Sequence, residues 1–155
     1  MRKSAVLLLL THLLVLPLVA QSQPAKVLSD YIKEINQFNK RNPQEKVYLH
    51  FDNTGYFLGD TIWFKAYTVL AEQHRFSPLS KVLHVELLTP QGEVIANRKL
   101  MIENGQCHGE FPLKRIYRSG FYEVRAYTRR MLNFGDDCIF LSLIHISEPT
   151  RRVVI

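Results

Sequence analysis

The chain has 155 residues, room for one compact domain and little more. Its 46% hydrophobic and 22% charged residues are an ordinary globular balance, which excludes an intrinsically disordered or collagen-like chain. The formal charge of +6 invites a polyanionic partner, yet setting aside Arg2 and Lys3, and then Arg151 and Arg152 against Glu148, lowers it to +3. No nucleic-acid partner is expected.

Arg2 and Lys3 precede an apolar run from Ala5 to Leu18, which ends in small and polar residues at Ala20 and Gln21. A basic start, an apolar centre and a small residue before a polar stretch predict a secretory signal peptide over 1–20, cleaved after Ala20. An uncleaved anchor is the alternative. Thr11 and His12 interrupt the run, which falls short of the roughly 20 apolar residues a membrane span needs. The mature chain is expected to be exported: periplasmic, outer-membrane associated or secreted, with no membrane span after cleavage.

Between Lys26 and Asn39, Val27, Leu28, Tyr31, Ile32, Ile35 and Phe38 recur at spacings of three and four. That periodicity predicts an amphipathic helix within a helix-and-linker segment, 21–44. Asn42-Pro43 stops it, because the residue before a proline avoids the helical region.

After Pro43 the period changes to two. Strands are predicted over Lys46–Phe51, Asp60–Leu70, Val82–Leu88, Val94–Ile102, Gln106–Leu113 and Gly120–Met131. Thr89-Pro90-Gln91-Gly92 reads as a turn, and Asn104-Gly105 as a two-residue hairpin joining adjacent partner strands. Frequent turns and six or seven strands predict an all-β fold, an immunoglobulin-like antiparallel β-sandwich over 45–141. Tyr122, two residues before Val124 on a late strand, fits a tyrosine corner, and Trp63 sits where such sandwiches bury a tryptophan.

The stretch from Tyr48 to Tyr67 (YLHFDNTGYFLGDTIWFKAY) resembles the opening of a macroglobulin-type domain of the alpha-macroglobulin family. Gly120 to Thr128 (GFYEVRAYT) resembles the strand that closes such a domain. The motif positions are Tyr48, Asp52, Tyr56, Gly59, Asp60, Trp63, Gly120 and Tyr122, with structural roles. The chain departs from the pattern at Phe51, at Thr54-Gly55 and at Leu58. The resemblance implies a module at the N-terminal end of a large exported protein of the kind found in Gram-negative bacteria, some of them linked to TonB-dependent transport. The Cys-Gly-Glu-Gln thioester of trapping macroglobulins does not occur.

From Ser142 the sequence SLIHISEPTRR resembles translated sequencing-adapter sequence, so 142–155 is read as a non-native tail, with a genuine last strand as the alternative. Cys107 and Cys138 are the two cysteines, and an exported chain permits a bridge between them. His50 and His84 have no carboxylate at motif spacing. Asp52 and Asp60 flank the tyrosine turn, where capping suits two carboxylates better than calcium, which needs six or more oxygens. No nucleophile elbow, phosphate-binding loop or zinc motif is present, so no enzyme activity, cofactor or metal is expected. The function expected is a non-catalytic structural or binding module, tied to endopeptidase inhibition by its family. Its partners would be other domains of the full-length protein or cell-envelope proteins. The alternative is an accessory domain of an exported hydrolase or of a TonB-linked transport component.

Overall fold

The computed structural model describes residues 24–149, and the segment read as a signal peptide lies outside the described residues. The chain divides into a helical unit ending at Asn42 and a β unit beginning at Pro43. Helix α1 runs Pro24–Arg41, with proline in the first turn, where its missing N–H costs nothing, and Lys40 and Arg41 in the last turn, where cations suit the helix dipole. Asn42 closes it by donating both its backbone N–H (2.8 Å) and its Nδ2 (3.2 Å) to the Phe38 carbonyl. A single helix has no second surface of its own, and its apolar residues from Val27 to Phe38 are exposed.

The β unit is a two-sheet sandwich. Its strands are β1 (Glu45–Phe51), β2 (Gly55–Phe57), β3 (Thr61–Leu70), β4 (Val82–Leu88), β5 (Val94–Met101), β6 (Gln106–Pro112), β7 (Gly120–Tyr127) and β8 (Phe140–Ser147). One sheet has the order β1-β3-β6 and the other β2-β8-β7-β4-β5. Pairing is antiparallel throughout except between β2 and β8, which run parallel. Strict alternation sends Leu49, Ile62, Phe64 and Phe111 from the first sheet, and Leu83, Val85, Leu87, Val124, Ala126 and Ile144 from the second, into one shared core. The Phe64 and Phe111 rings stack there at 5.6 Å.

Four features depart from the sequence reading. The Asn104-Gly105 turn forms with positive φ at both residues (51° and 75°), but it does not join partner strands. β5 pairs with β4 and β6 pairs with β3, so the chain changes sheets at this turn. The Gly105 carbonyl accepts from Thr68 N–H (2.8 Å) on β3, which docks the turn on the first sheet. β7 ends at Tyr127, short of Met131, because the Thr128 carbonyl accepts from Met131 N–H (3.1 Å) in a turn and Met131 enters a 3-10 helix with its side chain buried. β2, within the tyrosine turn, is too short for a period-two signal. Finally, β8 carries the sandwich past the boundary at 141: Ile144 and Ile146 alternate inward, and Ser142 to Ile146 pair along β7.

Candidate functional site

Five of the motif residues, Asp52, Tyr56, Gly59, Asp60 and Trp63, gather at one corner where the chain leaves β1. Asp52 follows β1, and its N–H donates to the Trp63 carbonyl (3.1 Å), extending the β1–β3 ladder. Its Oδ1 accepts from the Tyr56 hydroxyl (2.5 Å) and from Trp63 N–H (3.1 Å). The Tyr56 hydroxyl also accepts from Asn53 N–H (3.0 Å), so one buried phenol closes the whole loop. Burial, and then the adjacent Asp52 carboxylate, push the Tyr56 phenol far above its ordinary value and keep it a donor. Asp60 Oδ2 accepts from Phe57 N–H (2.9 Å), and Gly59 takes φ 102°, a conformation glycine adopts without strain. The two aspartates thus cap the turn. Among the described residues, no three or more His, Cys, Asp or Glu side chains are placed to hold a metal ion.

Tyr122 makes the second corner: its hydroxyl donates to the Arg118 carbonyl (2.8 Å), four residues upstream, beside Gly120 at φ 150°. Tyr48 and Trp63, by contrast, are not buried; they are 58% and 53% exposed. On β3 the inward positions belong to Ile62, Phe64 and Ala66, so period two turns Trp63 to the outer face, and Phe57 on β2 is exposed for the same reason. The outer face of the first sheet is aromatic, with Tyr48 opposite Tyr67 and Lys65 Nζ 5.4 Å from the Tyr67 ring.

The bridge between Cys107 and Cys138 is not formed. Cys107 is buried on β6, where burial pushes its thiol up to about 11. Cys138 sits in a 3-10 turn and accepts from Gln44 Nε2 at 2.7 Å.

Two carboxylates that the sequence reading passed over carry dense networks. Glu45, fully buried at the start of β1, accepts from Ser77 Oγ (2.5 Å), Ser80 N–H (3.1 Å), Ser80 Oγ (2.5 Å) and Thr128 Oγ1 (2.8 Å). Glu86 on β4 accepts from Arg125 Nη2 (2.9 Å) and Nε (3.1 Å), Tyr127 Oη (3.0 Å) and Asn97 Nδ2 (3.3 Å). A glutamate at an inward position of β1 was the available signal for the first. The second needs the strand order, because Arg125, Glu86 and Asn97 lie in one cross-strand row.

Two alternating sheets, an Asp–Tyr corner before the second long strand and a tyrosine corner before the last pair make an immunoglobulin-like sandwich, whose fold is similar to that of domains in bacterial alpha-2-macroglobulins. Solved structures agree on the fold. The native form of Escherichia coli alpha-2-macroglobulin matches with a TM-score of 0.58 at 20% identity, covering 68% of this chain and 6% of that one. Salmonella alpha-2-macroglobulin reacted with methylamine gives 0.57 at 19% identity, over 69% of this chain and 6% of the other. The Escherichia coli protein activated by porcine elastase gives 0.56 at 20% identity, over 66% and 8%. The chain therefore spans less than a tenth of the length of these proteins. No protein-family model and no curated protein sequence matches it. Among the described residues, no helix is long and apolar enough to cross a membrane.

Proposed function

We propose that this chain is a non-catalytic structural and binding module of a larger exported macroglobulin-like protein, with endopeptidase inhibition as the task of the whole. Its partners are the neighbouring domains of that protein or other proteins of the cell envelope. The observation that carries this reading is the fold: most of the chain matches a small fraction of each bacterial alpha-2-macroglobulin. The use of its carboxylates supports it. Glu45, Asp52, Asp60 and Glu86 each accept donors from within the domain, which is structural work. Export rests on the segment 1–20 read as a signal peptide.

Two measurements test it. The purified chain should show β-type circular dichroism and leave casein and aryl glycosides intact; turnover that co-purifies with the chain overturns the non-catalytic reading. Sequencing the locus past codon 141 should reveal further sandwich domains in frame. A stop codon immediately after Ile155 at the genomic locus overturns the larger-protein reading.

A further inference from the structure

One end of the outer face of the five-stranded sheet holds an open pocket of about 360 Å³ lined by Ser80, Lys81, Val82, His84, Lys99 and Arg129. Strand register explains the convergence. His84 on β4 lies opposite Lys99 on β5 and opposite Tyr127 on β7, and Arg129 is two residues beyond Tyr127, the next position on the same side. Lys81 precedes β4 directly. The His84 ring stacks on Tyr127 at 5.3 Å with the planes 9° apart, which fixes the imidazole in the floor of the pocket.

Three cations, Lys81, Lys99 and Arg129, meet here, and none of them is in an ion pair among the described residues, where the pairs are Lys33–Asp30 and Arg125–Glu86. The nearest acid along β4, Glu86, already accepts from Arg125, Tyr127 and Asn97. Ser80 spends its hydroxyl proton on Glu45, leaving lysine, arginine and imidazole N–H groups as the pocket's donors. A guanidinium and two ammonium groups around one imidazole suit a compact oxyanion carrying two charges, because each cation can donate to a different oxygen.

We propose that this pocket binds a tetrahedral oxyanion, the dianionic phosphate group of a monoester. It is a site separate from the Asp52–Tyr56 corner and independent of the reading as a module. The groups facing His84 are Lys99, Arg129 and Lys81 on the cationic side, with Glu86 and the Tyr127 ring beside it. Burial, and then Lys99 and Arg129, hold the His84 imidazole below its ordinary value, against the opposing pull of Glu86. A bound dianion reverses that balance and draws a proton onto the ring.

The test titrates the whole chain with sodium sulfate against chloride at constant ionic strength, read by NMR at the His84 ring and the Val82 and Lys99 amides. Saturable shifts confined to these groups are expected, and Lys99→Ala or Arg129→Ala should each weaken binding about tenfold. Lys46→Ala, an exposed cation on β1, should change nothing. Because sulfate keeps its charge, affinity should rise as pH falls from about 7.5 to about 6, and His84→Gln should flatten that dependence. Parallel titrations with glycerol phosphate and with phosphatidylcholine vesicles containing phosphatidic acid distinguish a soluble ester from a lipid headgroup. The tighter of the two, weakened by Lys99→Ala, names the source. Shifts no larger than with chloride, or equal loss with Lys46→Ala, overturn the proposal.

Discussion

Glu45 and Glu86 are both buried glutamates with four hydrogen bonds, and they do opposite kinds of work. Among the described residues Glu45 is in no ion pair; its donors are hydroxyls and one backbone N–H, from the β3–β4 connection and from Thr128 just past β7. It therefore ties the first strand of one sheet to a strand of the other. Glu86 lies flat on the outer face of a single sheet, in a row between Arg125 and Asn97, with the Arg125 side chain 34% exposed. The difference shows that burial alone does not rank a carboxylate. What matters is whether its donors have water to return to.

The largest expected effect follows from that. Glu45→Ala takes the acceptor from the buried Ser77 and Thr128 hydroxyls, with Ser80 able to turn to the pocket, and should cost about 3 kcal/mol, read as a shift of the urea midpoint. Next is Gly105→Ala. Its φ of 75° strains an alanine, and a Cβ would stand 2.5 Å from that of Phe76, the neighbour of the Glu45 partner Ser77. A loss of about 2 kcal/mol is expected. Combined with Ser77→Ala, that loss should be less than additive, since both changes loosen one clamp. Glu86→Ala should cost only about 1 kcal/mol, because Arg125 can turn to water, and added salt should shrink the difference. Equal costs for Glu45→Ala and Glu86→Ala would erase the distinction.

The smallest effect is the pH dependence of the outer face. The His84 pKa is lowered in the folded protein, so the unfolded chain binds more protons below the ordinary value of about 6.5. Its contribution is complete above that pH and is lost as the pH falls through it toward the lower folded value. His84→Gln should remove this part of the slope in a stability-versus-pH series.

Much of the sandwich was legible from period two alone. The inward residues of β3, β4 and β7 occupy the positions their alternation predicts, and the Asp52–Tyr56 and Tyr122 corners form because each tyrosine hydroxyl acts on groups nearby in sequence. Trp63 was misplaced because a general expectation about sandwich tryptophans competed with the strand's own parity, and parity won. The Asn104-Gly105 turn was read correctly as a turn and wrongly as a hairpin. Turn chemistry governs two residues, whereas strand partners are chosen by core packing further away. The Glu45 clamp and the cationic pocket were not legible, since their members lie far apart in sequence and meet only through strand order.

The parallel pairing of β2 with β8 has a consequence for the order of assembly. Gly55 to Phe57 is made about ninety residues before its partners His145 to Ser147. Among the described strands only β8 borders β2, so this edge of the five-stranded sheet stays open until β8 has been made. Closing so long a loop for three residue pairs has little to reward it early on, which places the step after the main folding barrier. Substitutions in β2 should therefore hasten unfolding while leaving the folding rate unchanged, so that β2 acts as the latch of the domain rather than part of its nucleus.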